Sequence, residues 1–196
     1  MEKMPTVEQA QAILREAVSR NPGPWEQHSK LAALCAGRIA QQIPTLDAQT
    51  AYVLGLLHDI GRRYGVSGMR HIWDGYCWLS EKGYELPAKI CLTHSFPIRQ
   101  IGSYNGKNDC TPEETERIAE YLQSAVYTEY DRLIQLADAL AYPDGVCPIE
   151  KRLIDVAIRN GINAYSVEKW KAFLALKEEF SQKIGRSIYE LFEIKL

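Results

Sequence analysis

The chain has 196 residues, enough for one domain with a sizeable core, and its 46% hydrophobic and 24% charged residues are the balance of an ordinary soluble globular protein. A formal net charge of −2 gives no signal for a bulk binder of nucleic acid or of anionic membrane. The five cysteines, Cys35, Cys77, Cys91, Cys110 and Cys147, are odd in number and form no C-x-x-C pair, which argues against a disulfide framework or a cysteine zinc site and fits a reducing cytoplasm.

Helical patterning runs through the chain. Residues 1–18 mix charges throughout and lack the apolar centre of a signal peptide. Thr6 is placed to cap a first helix running to Arg20, which Asn21-Pro22-Gly23-Pro24 breaks. A second helix is expected from Trp25 to Gln42, with His28, Leu31, Ala32, Cys35 and Ile39 at helical spacing. A third runs from Asp47 to His58 and stops at Gly61; a fourth covers 69–82, and a fifth covers 86–95, closed by Pro97. Residues 97–110 read as a loop. Thr111-Pro112-Glu113-Glu114 then combines a cap, a proline at the first helical position and a capping box, so a helix to Ser124 follows. Further helices are expected over 128–142, 148–160 and 166–184, with a short terminal piece and a turn at Pro143-Asp144-Gly145. No alternating strand pattern, repeat or linker is visible, and no apolar run is long enough to span a bilayer. The expected fold is all-α, a single-domain helical bundle over 1–196.

The four histidines, His28, His58, His71 and His94, all lie in the first half of the chain. His28 shares its stripe with Leu31, Cys35 and Ile39, and His58 shares one with Ala51, Leu54 and Gly55, so both point inward. Asp59 follows where the helix ends. Asp138 sits inside Leu133-Ile134-Gln135-Leu136-Ala137-Asp138-Ala139-Leu140-Ala141, where a carboxylate needs a partner such as Arg132 or a metal. Each member alone reads as a hydrogen-bonded core residue. Together, imidazoles and carboxylates on three helices are suitable ligands for divalent iron, manganese or zinc.

The motifs Trp25-Glu26-Gln27-His28-Ser29, Leu56-Leu57-His58-Asp59-Ile60-Gly61-Arg62 and Leu136-Ala137-Asp138-Ala139-Leu140 resemble the H…HD…D signature of HD-domain metal-dependent phosphohydrolases. The resemblance covers residues 25–142 and leaves 143–196 as an added helical extension. It implies His28, His58, Asp59 and Asp138 as ligands of a first metal. In the dinuclear subset two further histidines follow the HD pair, and His71 and His94 stand in that order here. The resemblance thus implies two divalent ions, iron or manganese ahead of zinc, with Asp59 shared. A mononuclear form leaves His71 and His94 to the substrate. The chain lacks the GYP signature of the cyclic-dinucleotide-degrading subgroup.

The chemistry expected is hydrolysis of a phosphoester or phosphoanhydride, of a nucleotide or other small phosphorylated substrate, by a hydroxide generated from water at the metal. Asp59 and Arg62 are the candidate catalytic pair, and Arg62, Arg63, Arg70, Arg99 and Lys107 are candidate phosphate contacts, because a guanidinium fork binds two oxygens. Tyr104 lies on the same loop as Arg99 and Lys107. Trp73, Tyr76 and Trp78 are candidates to stack a base or to fill core. Two other classes fit the same residues: a regulatory module that binds a nucleotide without turnover, and a di-iron oxygenase. The C-terminal helices are left either to cover the pocket or to form a homodimer contact.

Overall fold

In the computed structural model, which describes residues 3–142 and 144–194, helices follow one another in the expected order. They are α1 (Val7–Arg20), α2 (Trp25–Ala40), α3 (Ala48–Leu57), α4 (Arg70–Glu81), α5 (Glu85–Thr93), α6 (Pro112–Ser124), α7 (Glu129–Leu140), α8 (Ile149–Asn160), α9 (Ser166–Ile184) and α10 (Ile188–Leu191). Two short 3-10 segments, Ile60–Tyr64 and Ile101–Ser103, interrupt the connections. The starts are set by local chemistry. Thr6, Thr111 and Thr128 each form a full capping box, with Gln9, Glu114 and Asp131. Asp47 accepts a hydrogen bond from the Thr50 backbone N–H at the start of α3. No helix among the described residues is long and apolar enough to cross a membrane.

Small residues let the central helices approach closely. A Cβ on Gly55 of α3 would lie 2.7 Å from Ala33 Cα of α2, so only glycine permits this contact. Gly61 is tighter: a Cβ there would fall 1.9 Å from the His71 carbonyl oxygen and 2.5 Å from the Gly75 nitrogen. Gly61 therefore does not simply stop α3, which ends earlier at Leu57. It lets the 3-10 segment lie directly on α4.

The end of α7 departs from the sequence reading. The helix stops at Leu140, and Ala141–Tyr142 pairs antiparallel with Gly145–Val146 as strands β1 and β2. Tyr142 precedes a proline, which disfavours helical backbone, and two-residue strands carry no alternation to read. Of the expected turn, Pro143 lies outside the described residues. Leaving the helix frees the Ala141 carbonyl for a use described below.

The largest apolar cluster joins α2, α3 and α7 to the C-terminal helices, through residues such as Ile39, Leu54, Leu136, Leu140, Phe180 and Ile188, all fully buried. A second cluster seats α1 on α2, α3 and α4 through Leu14, Trp25, Leu56 and Leu79.

Candidate metal centre

The close-packed helices deliver all four histidines and two aspartates to one region. His58 forms the C-cap of α3, and Asp59 opens the 3-10 segment behind it. His94 forms the C-cap of α5. His71 lies in the first turn of α4, His28 in the first turn of α2, and Asp138 in the last turn of α7. His28, Asp59, His71, His94 and Asp138 line one cleft of about 340 Å³, and His58 lies fully buried beneath it.

The ring orientations are fixed by backbone carbonyls. Nδ1 of His28 meets the Ala141 oxygen at 3.1 Å, and Nδ1 of His58 meets the Gly55 oxygen at 2.7 Å. Nδ1 of His71 bonds the Gly68 oxygen, and Nδ1 of His94 meets the Cys91 oxygen at 2.9 Å. A carbonyl only accepts, so each Nδ1 carries the ring hydrogen and each Nε2 presents a lone pair.

Those Nε2 atoms face one another and the carboxylates. His28 Nε2 is 3.2 Å from His58 Nε2 and 2.9 Å from Asp138 Oδ1. Asp59 Oδ1 lies 3.0 Å from His71 Nε2, 3.6 Å from His94 Nε2 and 3.9 Å from His58 Nε2. Acceptors crowded against acceptors need cations between them. Among the described residues, two overlapping groups have donor atoms within 4.8 Å of one another: His28, His58 and Asp138, and His58, Asp59 and His94.

Ionisation agrees with this. Burial, with the neighbouring His58, pushes His94 down to about 3, and burial also lowers His58 despite the two aspartates. Both rings are neutral at neutral pH. Burial opposes charge on Asp59, yet the Arg62 guanidinium beside it holds its carboxyl well below the usual range. Asp138 is lowered as well, although burial opposes its charge. Neutral His58 and His94, four rings of fixed orientation and two ionised carboxylates suit metal coordination, so the residues present fit divalent iron, manganese or zinc.

The arginines divide sharply. Arg62 lines the cleft, donating from Nε to Asp59 Oδ2 at 2.6 Å. Arg63 does not: its guanidinium is buried over the Trp78 ring, 3.9 Å from the centroid, and donates to Glu16 of α1. Consecutive residues of a 3-10 segment point in different directions, and Arg63 is turned to the far side. Arg70 pairs with Asp74 and Glu114, and Arg99 donates to the Ala125 carbonyl, so their donors are committed away from the cleft. Lys107 is exposed, and among the described residues only its carbonyl is used, by Met69. Of the three loop residues Arg99, Tyr104 and Lys107, Tyr104 alone lines the cleft. Trp73 and Tyr76 pack with each other and with Tyr121, and Trp78 lies under Arg63; none faces the cleft. Asp138 is not the partner of Arg132, which pairs with Glu179 instead.

The far wall comes from α8 and α9, with Arg152, Lys169, Trp170 and Phe173. The motif reading passed over these residues. The available signal was a charge on an apolar helical stripe: Arg152 among Ile149, Leu153 and Val156, and Lys169 among Phe173, Leu176 and Phe180. The same argument had picked out Asp138.

The HD-domain family profile matches residues 25–142, more than half of the chain, and its bounds enclose every histidine and aspartate of the cluster. No curated protein and no solved structure matches. The chain belongs to the HD-domain family, whose general chemistry is metal-dependent phosphohydrolysis.

Proposed function

We propose that this protein is a metal-dependent phosphohydrolase holding two divalent ions, iron or manganese ahead of zinc, and acting on a small phosphorylated substrate such as a nucleotide. The observation that carries the reading is the convergence of four Nε2 lone pairs whose Nδ1 atoms are all tied to backbone carbonyls. His28, His58, Asp59 and Asp138 would hold the first ion, and Asp59, His71 and His94 the second. When bound, such ions supply Lewis-acid charge for the phosphoryl oxygens and a water acidic enough to attack at neutral pH.

The chain's own groups do the rest. The second-sphere carbonyls keep the imidazoles in the ligating tautomer. Arg62 fixes the Asp59 carboxylate from Nε, and its terminal nitrogens lie within 3.5 Å of the Ser67 carbonyl and of His71 Nε2, so its positive charge is held at the edge of the centre, where it can meet a phosphoryl oxygen. The walls from α8 and α9 screen the reacting groups from bulk water. Five free cysteines support a cytoplasmic location.

Elemental analysis of the purified protein, beside an Asp59→Ala control, tests this. About two transition-metal equivalents per chain are expected, reduced in the control, with metal-dependent phosphate release from p-nitrophenyl phosphate. One equivalent favours a mononuclear centre. No binding after incubation with iron, manganese and zinc sinks the catalytic reading, and metal without turnover leaves a regulatory binder.

A further inference from the structure

Two cations on the far wall of the cleft donate no hydrogen bond to any carboxylate among the described residues. Lys169 of α9 is 7% exposed, and its Nζ has a single acceptor among the described residues, the Ser103 carbonyl at 3.0 Å. An ammonium carries three donors, so two are unspent. No carboxylate among the described residues lies within ion-pair distance of it. Burial pushes its pKa down to about 8, with Asp138 opposing the shift.

Arg152 of α8 is in a similar position. Its guanidinium is 4.0 Å from Asp138 and 3.9 Å from Asp155, both too far for a hydrogen bond. Asp155 is already engaged by Arg159 at 2.8 Å. The other cations considered above are used: Arg62 on Asp59, Arg63 on Glu16, Arg70 on Asp74 and Glu114. A half-buried guanidinium and a buried ammonium with free donors, opening on the same cleft, constitute a built anion site.

We propose that Arg152 and Lys169 form a second anion subsite beside the metal centre, so that the substrate is a phosphate ester whose leaving portion carries another phosphate or a carboxylate. The inference rests on the phosphohydrolase reading. The transferred phosphoryl group belongs at the histidine–aspartate cluster beside Arg62. The second anion belongs against α8 and α9, helices that lie outside the HD-domain match. Trp170 and Phe173 line the same wall and leave apolar room for a short linking group. Selectivity within the cleft thus arises from the C-terminal extension rather than from the shared core.

Calorimetric titration of the manganese-loaded full chain tests the subsite with probes that are not turned over. Ethylphosphonate offers one anionic group; phosphonoacetate adds a carboxylate, and methylenediphosphonate adds a second phosphonate. At least one of the two probes with a second anionic group is expected to bind more than tenfold tighter than ethylphosphonate, and the tighter of the two names the second group. Lys169→Met and Arg152→Met are each expected to bring that ratio toward one. A purely structural role for these residues would leave the ratio unmoved. A ratio near one in the parent, or an unchanged ratio in both variants, overturns the subsite. If the ratio behaves as expected but no phosphate is released from any ester, the hydrolase reading fails while the subsite stands.

Discussion

At the scale of single residues, Lys169 shows what a buried charge does to stability. Its folded pKa is about 8 against an ordinary value of 10.5. Between those two values the unfolded chain binds more protons than the folded one, so stability rises as pH increases from 8 to 10.5. Below pH 8 the charged amine sits in the folded protein at a cost on the order of 3 kcal/mol. Lys169→Met should therefore be more stable than the parent near pH 7.5, by roughly that amount, with the difference vanishing toward pH 10.5. Urea midpoints of both proteins across this range test it; parallel curves would rule out a depressed amine. Residue identity was only partly legible in the sequence. His28, His58 and Asp138 stood out because polar groups on apolar stripes need a partner. Arg62 was favoured by its position after the motif, but that Arg63 turns away was not legible, because the direction a residue takes from a 3-10 segment depends on packing against α1 and α4, which no local period encodes.

Among the elements, the contact of the 3-10 segment with α4 governs the second half of the centre. Gly61 faces the carbonyl of His71 itself. Gly61→Ala is expected to push α4 away, to lose about 1–3 kcal/mol or more of stability through overpacking, and to reduce metal content from two equivalents toward one. Gly65→Ala is the control. It has positive φ but nothing within 4 Å, so about 1–3 kcal/mol of backbone strain is expected, with metal content intact. Metal analysis with paired urea melts checks both; equal metal content in the two variants would argue against the role given to Gly61. Helix starts were legible where their caps are local: Thr6 announces α1 and the Thr111 box announces α6. The hairpin after α7 was not, since a pair of two-residue strands has no pattern of its own.

Across the whole molecule, the C-terminal helices share their core with the helices that carry the centre. Phe180 of α9 is fully buried in the cluster containing Ile39, Leu54 and Leu140. Phe180→Ala is expected to cost about 3–5 kcal/mol. Residues 1–196 should unfold in one transition, with near-ultraviolet and far-ultraviolet dichroism coinciding. Two separated transitions would make 143–196 an independent unit. All-helical architecture followed from periodicity, but the far wall of the cleft did not. It depends on long-range contacts, such as Lys169 with the Ser103 carbonyl and Asn163 with the Gly102 carbonyl, that join the 3-10 segment Ile101–Ser103 to α9 and the turn before it, some sixty residues away.

The ring-anchoring carbonyls have a consequence beyond orientation. α3 and α5 end on His58 and His94, and α7 ends at Ala141, whose oxygen holds His28. Three helix macrodipoles therefore direct their negative poles at the same point, each equivalent to about half an elementary charge. The helices α2 and α4 begin beside His28 and His71 and turn two positive poles to the same region, so the backbone supplies a net negative potential there equivalent to about half a charge. Acid cannot neutralise that potential, and no side-chain substitution deletes it. Variants stripped of one ligand should accordingly retain a residual attraction for cations, set by the architecture rather than by any single donor.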